Sequence, residues 1–210
     1  MMVKNELNKG VSSKILKIGM WLVLVVAISF VGLIIYRIPF VAEEERTAEA
    51  IARIQSQHLA LKDVTGENLP SAPDEKLVDA TIEGIDANQN GIRDDVELAI
   101  FERYPNDIKI RAALLQYAMA LQLELTEVFN SETWVAAVKL SGRGTGCVID
   151  TAFDEFDDIK NQIKVADNLI AEVDSLTLNT DQRKNRKQSL KAYEAPYASG
   201  GKGNCDLAFK

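Results

Sequence analysis

The chain is short of the side chains on which most catalysis depends. Its 210 residues include one histidine, two cysteines, two tryptophans and five prolines. The lone His58 is expected on a polar helix face, as a surface residue rather than a general base, because a triad needs an activated Ser or Cys and nothing marks one. Two cysteines cannot supply a zinc site without further Cys or His nearby. No stretch alternates with a period of two, and no hairpin dipeptide separates β-branched runs, so strands are not expected. Basic charge is scarce as well. The formal charge is −7, and an acidic body excludes nucleic acid as a partner, since phosphate binding needs a basic footprint.

That charge is unevenly spread. Residues 1–37 carry Lys4, Lys9, Lys14, Lys17 and Arg37 against Glu6, a net +4, which leaves −11 for the remainder. The basic end precedes nineteen uncharged residues, Ile18–Tyr36, IGMWLVLVVAISFVGLIIY. As a helix at about 1.5 Å per residue these reach roughly 28 Å, close to the thickness of a hydrocarbon core. Lysines before the run and Glu43, Glu44 and Glu45 after it place the N-terminus in the cytoplasm and the bulk outside, across a cell (inner) membrane. The division expected is a basic tail at 1–17, an anchor at 18–37, a juxtamembrane helix and Pro-containing linker at 38–73, and an extracytoplasmic domain at 74–210. A cleaved signal peptide competes with this reading, but Phe-Val-Ala at 40–42 puts Phe40 at the −3 position and Ala27-Ile28-Ser29 lies inside the apolar run. A pilin-like start after Gly10 would need Glu where Ile15 stands.

The outer part reads as helical throughout. Pro39 is expected to stop the anchor helix. Ala48, Ile51, Ala52, Gln55 and Leu59 recur at helical spacing until Gly66 and the prolines of LPSAP (69–73) interrupt them. Asp94–Tyr104 forms a helix ended by Pro105. Asn106 can cap the next helix, Asp107–Phe129, where Ile110, Leu114, Tyr117, Leu121, Leu125 and Val128 make one apolar stripe. Ser131 caps a helix through Leu140, SGRGTG (141–146) reads as a linker, and Thr151–Leu176 repeats Phe156, Ile159, Ile163, Ala166, Ile170 and Val173 at steps of three and four. Thr180 or Asp181 starts a last helix reaching about Tyr193. The fold class expected is all-α: one transmembrane helix, then a small irregular bundle of five or six helices.

One stretch carries chemistry. From Asp86 the chain reads DANQNGIRDDVE, which meets the pattern D-x-[DN]-x-[DN]-G-x5-E at every specified place. Calcium takes six to eight hard oxygens, and a twelve-residue loop surrounds one ion if it turns sharply midway. Asp86, Asn88 and Asn90 supply side-chain oxygens, Gly91 makes the turn, Ile92 offers its backbone carbonyl, Asp94 reaches the ion directly or through water, and Glu97 closes the site. The loop resembles EF-hand sites, in particular the D-x-N-x-N-G loops of dockerins and other extracellular bacterial modules. The phrase G-I-D-x-N-x-N-G-x-R-D-D-V-E behind an apolar N-terminus is also similar to uncharacterised bacterial envelope proteins. That likeness implies a location and no activity. Arg93 departs from the apolar eighth place through which such loops pair, the incoming DATIEGI is a poor helix, and no second loop of this pattern occurs. The competing reading is an Asx-rich turn that caps a helix with solvated acids. A solitary, structural Ca2+ site of weak affinity, on the order of 10⁻⁴ M, is what the pattern predicts.

Cys147 and Cys205 flank the expected hairpin of the last two helices. A disulfide between them is geometrically reachable, and outside the cytoplasm it would be worth roughly 4 kcal/mol in the chain-entropy model. Free thiols or an intermolecular link are the alternatives. DEFDD (154–158) imitates a glycosidase carboxylate pair but suits a helix start, where acids meet the dipole. GRGTG and SGGKG read as plain loops, and RKNRK (183–187) as a solvated helix face. The function expected is a non-enzymatic, membrane-anchored calcium-binding protein that binds or tethers a protein or another component of the cell envelope. A cell-wall hydrolase working through two carboxylates in one cleft, or an accessory subunit of a membrane complex, is the alternative.

Overall fold

The computed structural model describes residues 3–153, 158–198 and 204–209, with side chains from Lys17 onward. It is all-α, and no strand occurs among the described residues. Among the described residues eight α-helices follow in order: α1 (Val3–Ser56), α2 (Leu61–Thr65), α3 (Glu75–Val78), α4 (Asp94–Arg103), α5 (Ile108–Glu127), α6 (Ser131–Ala152), α7 (Ile159–Thr177) and α8 (Asp181–Ser189). A 3-10 turn, Leu190–Tyr193, follows α8. The chain divides into two compact units, Met1–Arg46 and Thr47–Lys210.

In the first unit every described side chain is exposed, from Lys17 to Arg46. Its helix is long and apolar enough to cross a membrane. Pro39 does not end it, contrary to the sequence expectation. Proline removes one backbone hydrogen bond and crowds the preceding turn, but the strong helix formers of EEERTAEAIARIQS carry α1 on to Ser56.

In the second unit the end of α1 buries Thr47, Ala50 and Ile54, not the expected Ala48, Ile51, Ala52 and Gln55. Alanines on both sides of this helix leave its phase weakly marked, and Ile54 settles it. Helix α5 is the axis of the fold, buried without interruption from Arg111 to Leu125 and in contact with α2, α4, α6, α7 and α8. Asp107, rather than Asn106, caps it, accepting from the Ile110 N–H at 3.0 Å. Asn130 caps α6 in the same way, one residue before the expected Ser131.

The largest departure is SGRGTG. It is no linker: α6 runs through it to Ala152. Each helical glycine costs about 1 kcal/mol relative to alanine, and the reason for tolerating one at 144 is the α5 crossing. A Cβ on Gly144 would stand 2.9 Å from Tyr117 Cα. A Gly144→Ala variant is therefore expected to lose about 1–3 kcal/mol through overpacking, despite its better helix propensity. A urea midpoint equal to the parent's would contradict this. Helix α7 buries Gln162, Ala166, Leu169, Val173 and Thr177, while Ile159 and Ile163 are 66 % and 48 % exposed, so the stripe is rotated from the expected one. Asp154, Glu155, Phe156 and Asp157 of DEFDD, and residues 199–203 of SGGKG, lie outside the described residues.

Cys147, a residue of α6 rather than of a linker, is disulfide-bonded to Cys205. The bond anchors a tail, residues 204–209, that lies across the bundle. Gln116 on α5 donates to Asn204 O at 2.7 Å and accepts from the Asp206 N–H at 2.8 Å. Asp206 accepts from the Leu59 N–H at 2.9 Å and pairs with Arg143 at 2.6 Å. His58 sits beyond the end of α1, not on a helix face. It is exposed as expected, with Nδ1 3.7 Å from Asp206.

Candidate metal centre

Residues 86–97 fold as a tight loop running into α4. The Asp94 N–H donates to Ile85 O at 2.8 Å and closes the base of the loop. Gly91 adopts φ +82°, a left-handed turn, and a Cβ there would meet Met119 Cγ at 3.3 Å and Gln57 Oε1 at 3.4 Å. Gln89 is also left-handed at φ 57°. These two reversals curl the backbone so that its N–H groups point inward. Asp86 Oδ1 accepts from the Asn90 N–H at 3.1 Å and Oδ2 from the Gly91 N–H at 2.9 Å. Asn90 Oδ1 accepts from the Ile92 N–H at 2.9 Å, and Asp94 Oδ1 from the Ala87 N–H at 3.0 Å.

Glu97 reaches back from the first turn of α4. Asn88 and Asn90 each donate a side-chain N–H to a separate oxygen of its carboxylate, both at 3.0 Å. Asn88 also donates to Asn68 O at 2.8 Å, which ties the loop to the turn after α2. The Ile92 side chain is fully buried in the core and pins the middle of the loop.

The electrostatics are unfavourable to charge. Asp94 is 1 % exposed and Glu97 is not exposed at all, and no Lys or Arg pairs with Asp86, Asp94 or Glu97 among the described residues. Burial raises the carboxyls of Asp86 and Asp94 above their ordinary range and pushes Glu97 up to about 7. A further acid was not foreseen from the sequence. Asp63 on α2 is buried and adds its charge to the field at Asp86 and Glu97, while accepting from the Ala60 N–H and the Asn68 amide. No local pattern in the sequence separates Asp63 from an ordinary surface acid.

The structure therefore brings Asn88, Asn90 and Glu97 into direct contact and keeps Asp86 and Asp94 bonded to the loop backbone. Among the described residues no three His, Cys, Asp or Glu side chains gather closely enough to hold a metal ion by themselves. A hard cation would draw on the amide oxygens and a backbone carbonyl as well as on the acids.

Two buried arginines flank the loop. Arg93, at its eighth place, donates to Thr177 O at 3.0 Å and Leu176 O at 3.2 Å, and pairs with Asp95 at 2.6 Å. Arg183 donates to Val78 O at 2.6 Å, Thr81 O at 2.9 Å and Ile82 O at 3.2 Å, and pairs with Asp79 at 2.6 Å. RKNRK is thus not a solvated face: Arg183 is fully buried, Arg186 caps α5 through Leu125 O and Val128 O, and Lys187 pairs with Glu124. Elsewhere, a cavity of about 310 Å³ lies between α5, the end of α6 and the tail, lined in part by Lys109, Asp150, Phe153 and Phe209. Asp150 is the one carboxylate among its described lining residues.

No protein-family model matches the chain, and neither a curated protein nor a solved structure matches it.

Proposed function

We propose that the protein is a membrane-anchored, outward-facing helical domain that binds Ca2+ at residues 86–97, with the ion in a structural role. One observation carries the reading. Three carboxylates at the first, ninth and twelfth places of the loop, two of them fully buried, have no cationic side chain paired with them among the described residues. Burying such groups costs several kcal/mol each if they are charged and uncompensated. A divalent ion supplies the compensation. Asp86, Asp94 and Glu97 would give charged oxygens, Asn88 and Asn90 their amide oxygens after a half-turn of each amide, and Ile92 its carbonyl.

Location follows from the apolar stretch of α1 with its lysine-rich lead, which favours a cytoplasmic N-terminus, and from the disulfide, which persists in oxidising compartments. Binding or tethering is the preferred reading because the only carboxylate among the described residues lining the cavity by the tail is Asp150, where glycoside cleavage uses two.

Thermal melts of the full-length chain in detergent, in calcium and in chelator, test the site. At ten times the dissociation constant an ion adds about 1.4 kcal/mol, or roughly 3–6 °C for a unit of this size. Asp86→Ala is expected to melt at one temperature under both conditions. Parent melts that coincide in calcium and chelator would overturn the proposal.

A further inference from the structure

We infer that the corner between α7 and α8 is the brace that sets the loop's affinity for its ion. The inference rests on the reading of residues 86–97 as a calcium site and adds residues that lie about ninety positions away in the chain. A loop that wraps an ion holds it only as well as its two ends are held together, because any spreading of the ends must be reversed on binding. Each end here is fixed to the same corner.

The incoming end is held by Arg183, whose guanidinium takes the carbonyls of Val78, Thr81 and Ile82 and the carboxylate of Asp79. The outgoing end is held by Arg93, which takes the last carbonyls of α7, Leu176 O and Thr177 O, and fixes Asp95 in the first turn of α4. Both arginine side chains are fully buried. Gly84 passes between them: a Cβ there would stand 2.6 Å from Arg93 Cδ and 3.1 Å from Arg183 Nη2. Asn179 links the two halves. Its Oδ1 accepts from Arg183 at 2.6 Å and from Arg93 at 3.4 Å, and its Nδ2 donates to Asp79 at 3.1 Å.

Arg93 thus replaces the apolar eighth residue of a paired loop with a side chain that docks on a helix end. Asn179, Arg93 and Arg183 are positioning residues: among the described residues their side chains bond to helix ends, the incoming segment of chain and one another, and not to the side chains of the proposed ligands. Groups bonded directly to metal ligands typically shift affinity by about 10–100-fold, and these braces, one contact further out, are expected at the lower end of that range.

The test is calorimetric titration of CaCl2 into the full-length chain in detergent. Asn179 is exposed at the turn, so Asn179→Ala leaves no core cavity, and its dissociation constant is expected to rise about tenfold. Asp107→Ala, which removes the cap of α5 through its bond to the Ile110 N–H, is the control; it lowers the melting temperature and is expected to keep the parental constant. Parental affinity in Asn179→Ala would overturn the inference, as would equal weakening in Asp107→Ala, which would mean that affinity follows general stability. A parent that binds no calcium would instead bring down the calcium site itself.

Discussion

A Cys147→Ser, Cys205→Ser double variant is expected to melt roughly 8–16 °C below the parent, from a loss of about 4 kcal/mol in the chain-entropy model. The bond closes a loop with a sequence separation of 58 residues, long enough for the entropic gain to be near the upper part of the usual range. It also gathers a set of contacts that depend on one another. With Cys205 released, Asn204 and Asp206 must hold Gln116, Arg143 and the Leu59 N–H against the freedom of an untethered tail. The loss therefore exceeds that from Asp206→Ala alone. Differential scanning of both variants measures the difference, and equal melting temperatures for parent and double serine variant would show that the hydrogen bonds suffice.

The second large effect is one of pH on the ion-free protein. Burial holds the Glu97 carboxyl at about 7 in the folded state, against an ordinary value of 4.5. Between those two pH values the folded protein keeps a proton that the unfolded chain has lost, so stability falls as the pH rises. The contribution is complete below about pH 4.5 and gone above about pH 7, and amounts to roughly 3 kcal/mol. Asp86 and Asp94, also raised by burial, act in the same direction. Glu97→Gln puts a permanently neutral group in the same place. In chelator, the urea midpoint of the parent is expected to drop relative to that of the variant across this interval, and parallel profiles would refute the assignment to Glu97. Calcium should flatten the parental profile, because the ion favours the carboxylate.

Features whose causes lie close together in the chain were legible in the sequence, and those whose causes lie far apart were not. Helix α5 could be read because Pro105 and an uninterrupted apolar stripe are local, although its cap is Asp107 and not the expected Asn106. The sharp turn at Gly91 could be read because the residues that make it fall within twelve positions; its use for calcium is a proposal. SGRGTG was misread because flexibility and close packing use the same residue, and only the approach of Tyr117 separates the two at Gly144. RKNRK was misread because the partners of Arg183 and Arg186 are carbonyls some sixty to one hundred residues away. Asp63 was passed over for a related reason: its neighbours Asp86 and Glu97 become neighbours only after α2 has docked on α5. The rotated face of α7 has another origin. Ile159 and Ile163 look like core by composition, yet Gln162 and Thr177 occupy the buried line.

The tail has a consequence for how the molecule is made. Synthesis delivers residues 204–209 after every helix they fasten, and the link from Asp206 to the Leu59 N–H spans 147 positions. Helices α2 to α8 lack these contacts until that segment has left the ribosome. During that interval the surfaces around Gln116 and Arg143 are uncovered and Cys147 is still a thiol, open to pairing with any other thiol it meets. Chains form their domains from the N-terminal side as they emerge, so this one is most exposed to misassembly just before residues 204–209 arrive. Termination between Tyr193 and Asn204 would leave every described helix present and the fastening missing.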